Sequence, residues 1–301
     1  MKTLTILDGG MGRELKEIGA PFSQPLWSAQ ALIEAPDFVS QAHQNFVDSG
    51  AEIIITNSYA CVPFHLGEEL FAQRGFELAA LSGELAKAVA DQAPQAVKVA
   101  GSIPPPFGSY RPDLFKVEEA ASIIQTLYDA QEPNIDLWLV ETLSSVQEFE
   151  SIHGVLKQST KPCYYAFSLE DTKGDSASIR SGESVKEAVK LVCQSNATGI
   201  MFNCSVPEVM DQAIIDTKQV MDELGQDLEI GVYANNFAPI SSEHEANDML
   251  QEMRELDGQG YLTYAKRWHD LGANIIGGCC GIGPKHIKAL ADWKLEVIEE
   301  K

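Results

Sequence analysis

The feature that most constrains this chain is a repeated alternation. Eight short runs rich in β-branched and apolar residues are each followed by a longer stretch with helical periodicity. The expected strands are Leu4 to Asp8, Glu52 to Tyr59, Val97 to Ile103, Asp136 to Thr142, Pro162 to Leu169, Gly199 to Cys204, Glu229 to Asn235 and Asn274 to Gly278. The expected helices are Pro36 to Ser49, Glu68 to Ala93, Val117 to Gln131, Val146 to Gln158, Ser184 to Gln194, Pro207 to Leu224, Gly260 to Leu271 and Pro284 to Val297, several opening on Pro or a capping Ser. Strands separated by helices pair in parallel, because a parallel neighbour needs a crossover. Eight such units in 301 residues predict an α/β fold, a closed (β/α)8 TIM barrel forming a single domain over residues 1–301. An acidic segment from Ala238 to Gly258 interrupts the pattern and reads as a solvated insertion or a lid.

Charge narrows the partners. Asp and Glu outnumber Lys and Arg 44 to 22, a net charge of -22 that repels phosphate backbones and anionic lipid. Nucleic acid and membrane are therefore not expected as partners, and small molecules are. No run approaches the roughly 20 apolar residues of a membrane span. The opening residues show no signal-peptide pattern, so a cytoplasmic location is expected. The oligomeric state is left open, a homo-oligomer included.

A barrel places its chemistry at the C-terminal ends of its strands. Those ends read Asp8-Gly9-Gly10, Thr56-Asn57-Ser58-Tyr59, Gly101-Ser102, Glu141-Thr142, Asn203-Cys204, Asn235-Asn236 and Gly277-Gly278-Cys279-Cys280-Gly281. Three of the six cysteines, Cys204, Cys279 and Cys280, thus meet at one mouth. Three soft thiolates suit Zn2+ and leave a fourth tetrahedral position open, as in catalytic rather than structural sites. Cys61, Cys163 and Cys193 read as packing residues. None of the histidines His43, His65, His153, His244, His269 and His286 ends a strand, so none is expected as a ligand.

Two other classes are weighed against this reading. A structural zinc would need a fourth protein ligand, for which Cys61 is the nearest candidate in sequence to a strand end. A Schiff-base aldolase or lyase would need a Lys at a strand end, whereas Lys98 and Lys161 lie at strand starts.

The segment Ile275-Ile276-Gly277-Gly278-Cys279-Cys280-Gly281-Ile282-Gly283-Pro284 resembles the signature of the zinc-dependent homocysteine S-methyltransferases, a family that includes S-methylmethionine-dependent and betaine-dependent enzymes. Leu7-Asp8-Gly9-Gly10-Met11-Gly12, Leu26-Trp27-Ser28, Val140-Glu141-Thr142 and Asn203-Cys204 are similar to its other landmarks, so the likeness spans nearly the whole chain. The resemblance implies that Cys204, Cys279 and Cys280 bind Zn2+, that Asp8 and Glu141 recognise the amino group of homocysteine, and that Thr56 and Asn203 help to line that pocket. It also implies the chemistry. A homocysteine thiolate held by zinc attacks the methyl group of S-methylmethionine or S-adenosylmethionine to give methionine, with no Ser-His-Asp base required. Betaine as donor, and another small thiol or a selenol as acceptor, are the alternatives; a non-catalytic zinc-binding barrel ranks below them.

Two segments depart from the family pattern. The loop Gly101 to Pro112 replaces a Gly-Pro-Tyr-Gly type of turn, and Tyr233-Ala234-Asn235-Asn236 replaces a Pro-Asn-Ser-Gly-Glu run. Both are expected to face the donor. At this length there is no room for folate and cobalamin modules, which favours a compact sulfonium-dependent enzyme over a methionine synthase.

Overall fold

The computed structural model describes residues 2–238 and 254–299. Eight strands form one parallel sheet: β1 (Thr5–Ile6), β2 (Ile53–Ile55), β3 (Lys98–Ile103), β4 (Leu137–Leu143), β5 (Cys163–Phe167), β6 (Gly199–Asn203), β7 (Glu229–Tyr233) and β8 (Ile275–Ile276). β1 pairs with β8 through Thr5↔Ile275 and Ile6↔Ile276. On its other side a parallel bridge joins Leu7 to Ile53, flanked by Asp8 N–H to the Ile53 carbonyl at 3.0 Å and Glu52 N–H to the Ile6 carbonyl at 2.8 Å. These bonds close the sheet into the expected (β/α)8 barrel.

The helices are α1 (Met11–Glu17), α2 (Ala29–Glu34), α3 (Pro36–Asp48), α4 (Pro63–Leu66), α5 (Glu68–Gln92), α6 (Val117–Gln131), α7 (Val146–Leu156), α8 (Val185–Cys193), α9 (Met210–Leu224), α10 (Gly258–Leu271) and α11 (Pro284–Glu299). Local chemistry sets several of their starts. Ser145 and Ser184 close capping boxes with Glu148 and Glu187, Asp257 caps α10, and Pro36 opens α3. Three short helices, α1, α2 and α4, were not expected; at seven, six and four residues they complete too few turns to show a period. The expected acidic insertion lies mostly outside the described residues, as does His244.

Two apolar layers follow from strand alternation. One packs the outward strand residues, such as Ile54, Val99 and Ile200, against the helix ring. The other fills the barrel with one or two side chains from every strand region, including Leu7, Leu137, Leu139, Met201 and Tyr233. Because inward positions repeat every second residue, Glu141 continues the Leu137–Leu139 row and Asn203 continues from Met201. Both stand at the C-terminal end of the barrel, and Glu141 reaches the mouth.

Glycines let the mouth close tightly. A Cβ on Gly9 would stand 2.2 Å from the Ile282 carbonyl oxygen, and one on Gly10 would stand 2.5 Å from that of Cys279. The end of β1 and the loop after β8 therefore touch backbone to backbone. Gly10 N–H donates to the Ile282 carbonyl at 2.8 Å, and Gly278 N–H to the Asp8 carbonyl at 2.9 Å.

Candidate active site

The C-terminal mouth holds a cavity lined by Asp8, Glu141, Cys204, Cys279 and Cys280, with aromatic walls from Phe22, Trp27, Tyr59, Tyr110, Tyr233 and Phe237. The three sulfurs lie within 4.8 Å of one another, the only such group of His, Cys, Asp and Glu atoms among the described residues. Cys204 and Cys279 are joined as a disulfide, and Cys280 is a free thiol beside them. Neither Cys61 nor any described histidine joins the cluster: Cys61 is buried in the outer apolar layer, and His65, although it lines the cavity, is kept neutral by burial, with its pKa lowered to about 4.

Each sulfur sits on a backbone held from several sides. Cys204 follows β6 in the left-handed region, at φ 47°. Its N–H donates to the Tyr233 carbonyl at 3.3 Å, and its own carbonyl accepts from the Tyr110 hydroxyl at 3.3 Å. Two residues on, Val206 N–H donates to Asp171 Oδ1 at 3.0 Å. Asp171 is paired at 3.0 Å with Arg180, whose guanidinium lies 5.0 Å from the centroid of the Tyr110 ring; both charged side chains are buried. The loops after β3 and β5 thus clamp the Cys204 turn. Across the mouth, Cys279 N–H donates to the Ala234 carbonyl at 2.9 Å, and the Cys280 carbonyl accepts from Asn236 N–H at 2.8 Å.

The two carboxylates differ in how far they are satisfied. Asp8 Oδ2 accepts from Ile55 N–H at 2.7 Å, while Oδ1 is buried with no hydrogen-bond partner. Burial pushes the Asp8 carboxyl well above the usual carboxylate range, and the charge of Glu141 adds to it. Glu141 Oε1 accepts from the Ser102 hydroxyl at 2.6 Å. Burial raises its pKa to about 7, partly opposed by the hydroxyls of Ser102 and Tyr233. Two desolvated carboxylates, one with an open oxygen, form a receptor for a cation, which would restore the charge balance that burial removes.

Thr56 and Asn203 occupy the expected strand ends but are already engaged within the protein. Thr56 lines the cavity, yet its hydroxyl donates to Gln131 Oε1 at 2.7 Å and accepts from Ser102 N–H at 2.9 Å. Asn203 does not reach the cavity lining; its amide bonds Thr142 twice, at 3.0 Å each. Thr142 sits at φ 59°, where β4 breaks register between Val140 and Leu143, so Asn203 anchors the turn that follows Glu141. The loop after β3 faces the cavity through Ser109 and Tyr110, and the segment after β7 does so through Phe237. Arg13 and Phe237 were not expected at the site, and Tyr59, Tyr110 and Tyr233 were expected there only as parts of a strand end or of segments facing the donor. Their place beside a strand end or in the first turn of α1 was the available signal.

The family model described as homocysteine S-methyltransferase matches residues 5–293. The chain belongs to the homocysteine S-methyltransferase family. As a homocysteine S-methyltransferase it is a methyltransferase enzyme, and its relatives agree along nearly their whole length. Homocysteine S-methyltransferase 3 of Arabidopsis thaliana is 29% identical, with 95% of this chain and 88% of the relative covered. A selenocysteine methyltransferase of Astragalus bisulcatus is 25% identical over 95% of this chain and 90% of its own. Among solved structures, the oxidized form of the homocysteine methyltransferase MmuM from Escherichia coli superposes with a TM-score of 0.78 at 26% identity, covering 97% of this chain and 96% of that one. The metallated form of MmuM gives a TM-score of 0.77 at 24% identity and the same coverage, a likeness of fold.

Proposed function

We propose that this methyltransferase moves a methyl group from a sulfonium donor, S-methylmethionine or S-adenosylmethionine, to the sulfur of homocysteine, with Cys204, Cys279 and Cys280 holding Zn2+. The observation that carries the proposal is one cavity in which three sulfurs within 4.8 Å of one another share the lining with Asp8 and Glu141. The sulfurs suit the ion once the Cys204–Cys279 bond is reduced: tetrahedral bonds of about 2.3 Å need thiolates roughly 3.8 Å apart, a modest separation of the pair, and no fourth protein ligand fills the remaining position among the described residues. When bound, zinc supplies a Lewis acid that keeps a substrate thiol deprotonated at neutral pH. The cysteines must be reduced to serve, which suits a cytoplasmic setting.

The rest of the site belongs to the chain. The open Oδ1 of Asp8 and the carboxylate of Glu141 accept the ammonium of homocysteine, and Ser102 keeps Glu141 aimed at it. The faces of Trp27, Tyr59, Tyr110 and Tyr233 line the cavity and suit a cationic sulfonium. They also exclude water, which would otherwise solvate the attacking sulfur. In the transfer, the donor's S–CH3 bond breaks with its electron pair passing to the donor sulfur, which leaves as a neutral thioether. The new bond forms to homocysteine sulfur, whose proton was lost on binding, and the product is methionine.

The test is methionine formation by reduced, zinc-loaded protein offered homocysteine with S-methylmethionine, S-adenosylmethionine or betaine in separate reactions, and selenocysteine as a rival acceptor. Methionine from a sulfonium donor is the expected result. Turnover with betaine alone, or only with the selenol, would overturn the assignment of donor or acceptor.

A further inference from the structure

Among the described residues, Arg13 is the one permanently cationic residue lining the cavity. It stands in the first turn of α1, beyond the Asp8-Gly9-Gly10 turn, and is half-buried. No ion pair or hydrogen bond engages its guanidinium among the described residues; it stands over the Phe237 ring, 5.9 Å from the ring centroid. The guanidinium therefore lies against the wall formed after β7, in the cavity that also holds the sulfur cluster. A cation kept without an anion at the edge of a desolvated pocket is suited to an anion that arrives with the ligand.

The composition of the cavity says which anion. Asp8 and Glu141 supply negative charge for an ammonium, and Arg13 adds a planar donor fork. Together they complement a zwitterion, and the fork matches the two oxygens of a carboxylate. We infer that Arg13 is a specificity-determining residue that binds the α-carboxylate of an amino-acid substrate and so selects amino acids over the corresponding amines. This rests on the proposed methyl transfer for its choice of ligands. Homocysteine and the sulfonium amino acids both carry such a carboxylate, and the separate kinetic arms below distinguish them.

The experiment compares calorimetric binding of methionine with that of 3-(methylthio)propylamine, the same skeleton without the carboxylate, to the wild type, Arg13→Gln and Arg13→Lys. The wild type is expected to prefer methionine by roughly ten- to hundredfold, the range for a hydrogen bond between charged groups. Arg13→Gln should bring that ratio close to one by weakening methionine alone, and Arg13→Lys should restore part of it. In turnover, a KM raised by Arg13→Gln only for homocysteine identifies the acceptor's carboxylate, and one raised only for the sulfonium identifies the donor's. A methionine preference that survives in Arg13→Gln, or a wild type without one, overturns the inference. Failure of the methyl transfer itself shows separately, as no methionine formed by wild type that still binds methionine through Arg13.

Discussion

The side-chain amide of Asn203 grips Thr142 at two points, accepting from its backbone N–H and donating to its hydroxyl, each at 3.0 Å. This pair links the ends of β4 and β6, where Thr142 at φ 59° and Cys204, the residue after Asn203, at φ 47° lie in the left-handed region. One amide therefore holds the turn after Glu141 and stands next to a cysteine of the sulfur cluster. The carboxylate and the thiol are placed by a shared device.

Asn203→Ala removes both bonds and leaves the buried Thr142 N–H without an acceptor. A loss of about 1–3 kcal/mol in unfolding free energy is expected, together with weaker zinc retention as the Cys204 turn relaxes. Urea titration and zinc content measured on the same sample check this. An unchanged denaturation midpoint would mean that the pair carries no stability.

Glu141 gives the site a pH signature. Its folded pKa of about 7 lies above the ordinary 4.5. The stability associated with its protonated form is therefore fully present below about 4.5 and is lost as pH rises through about 7. The difference corresponds to at most about 3 kcal/mol. Glu141→Gln cannot ionise, so wild type should lose more stability than the variant between pH 5 and pH 8. Glu148, whose pKa is also raised, remains in both proteins and largely cancels, while Asp8, which feels the Glu141 charge only in wild type, adds to the difference. Methionine binding should show the opposite slope, tightening in wild type as Glu141 ionises to receive the ammonium and flattening in the variant. Equal pH slopes in the two proteins would remove Glu141 from this role.

Asp171 holds Val206 N–H and pairs with Arg180 beneath Tyr110, out of reach of bulk water. Asp171→Ala breaks a buried charge pair from one side, which typically costs about 3–5 kcal/mol. The double variant Asp171→Leu/Arg180→Met should lose less than the single one, because it leaves no buried charge unpaired. Thermal denaturation of the three proteins decides, and equal losses in the single and double variants would contradict the clamp.

The barrel was legible because each unit states its period: β-branched runs such as Ile53–Ile55 alternate with amphipathic stretches such as Pro36–Asp48 and Val185–Cys193. Strand ends were read too long. Glu52 to Tyr59 was expected, but Thr56 to Tyr59 leave the ladder to build the mouth, and Gly277–Gly278 pack against Leu7, Asp8 and Ile282 rather than extending β8. The convergence of Cys204 with Cys279 and Cys280 followed from their strand ends, since a closed barrel brings all such ends together. What spacing could not give was direction. Thr56 bonds to Gln131, 75 residues away, and Asn203 to Thr142, 61 residues away, and neither partner is marked by local sequence. Arg13 was hidden for the same reason: α1 has no readable period, and only the finished mouth shows its guanidinium facing the cavity.

Methyl transfer by this enzyme is proposed to depend on a metal held by the three cysteines. The most direct test is methionine formation from homocysteine and the preferred donor by reduced protein, measured after chelation, after zinc is restored, and in Cys280→Ala. Turnover should be lost on chelation and recovered at one zinc per chain, and Cys280→Ala should show neither zinc retention nor activity. Undiminished methionine formation by the metal-free protein, or by Cys280→Ala, would contradict it.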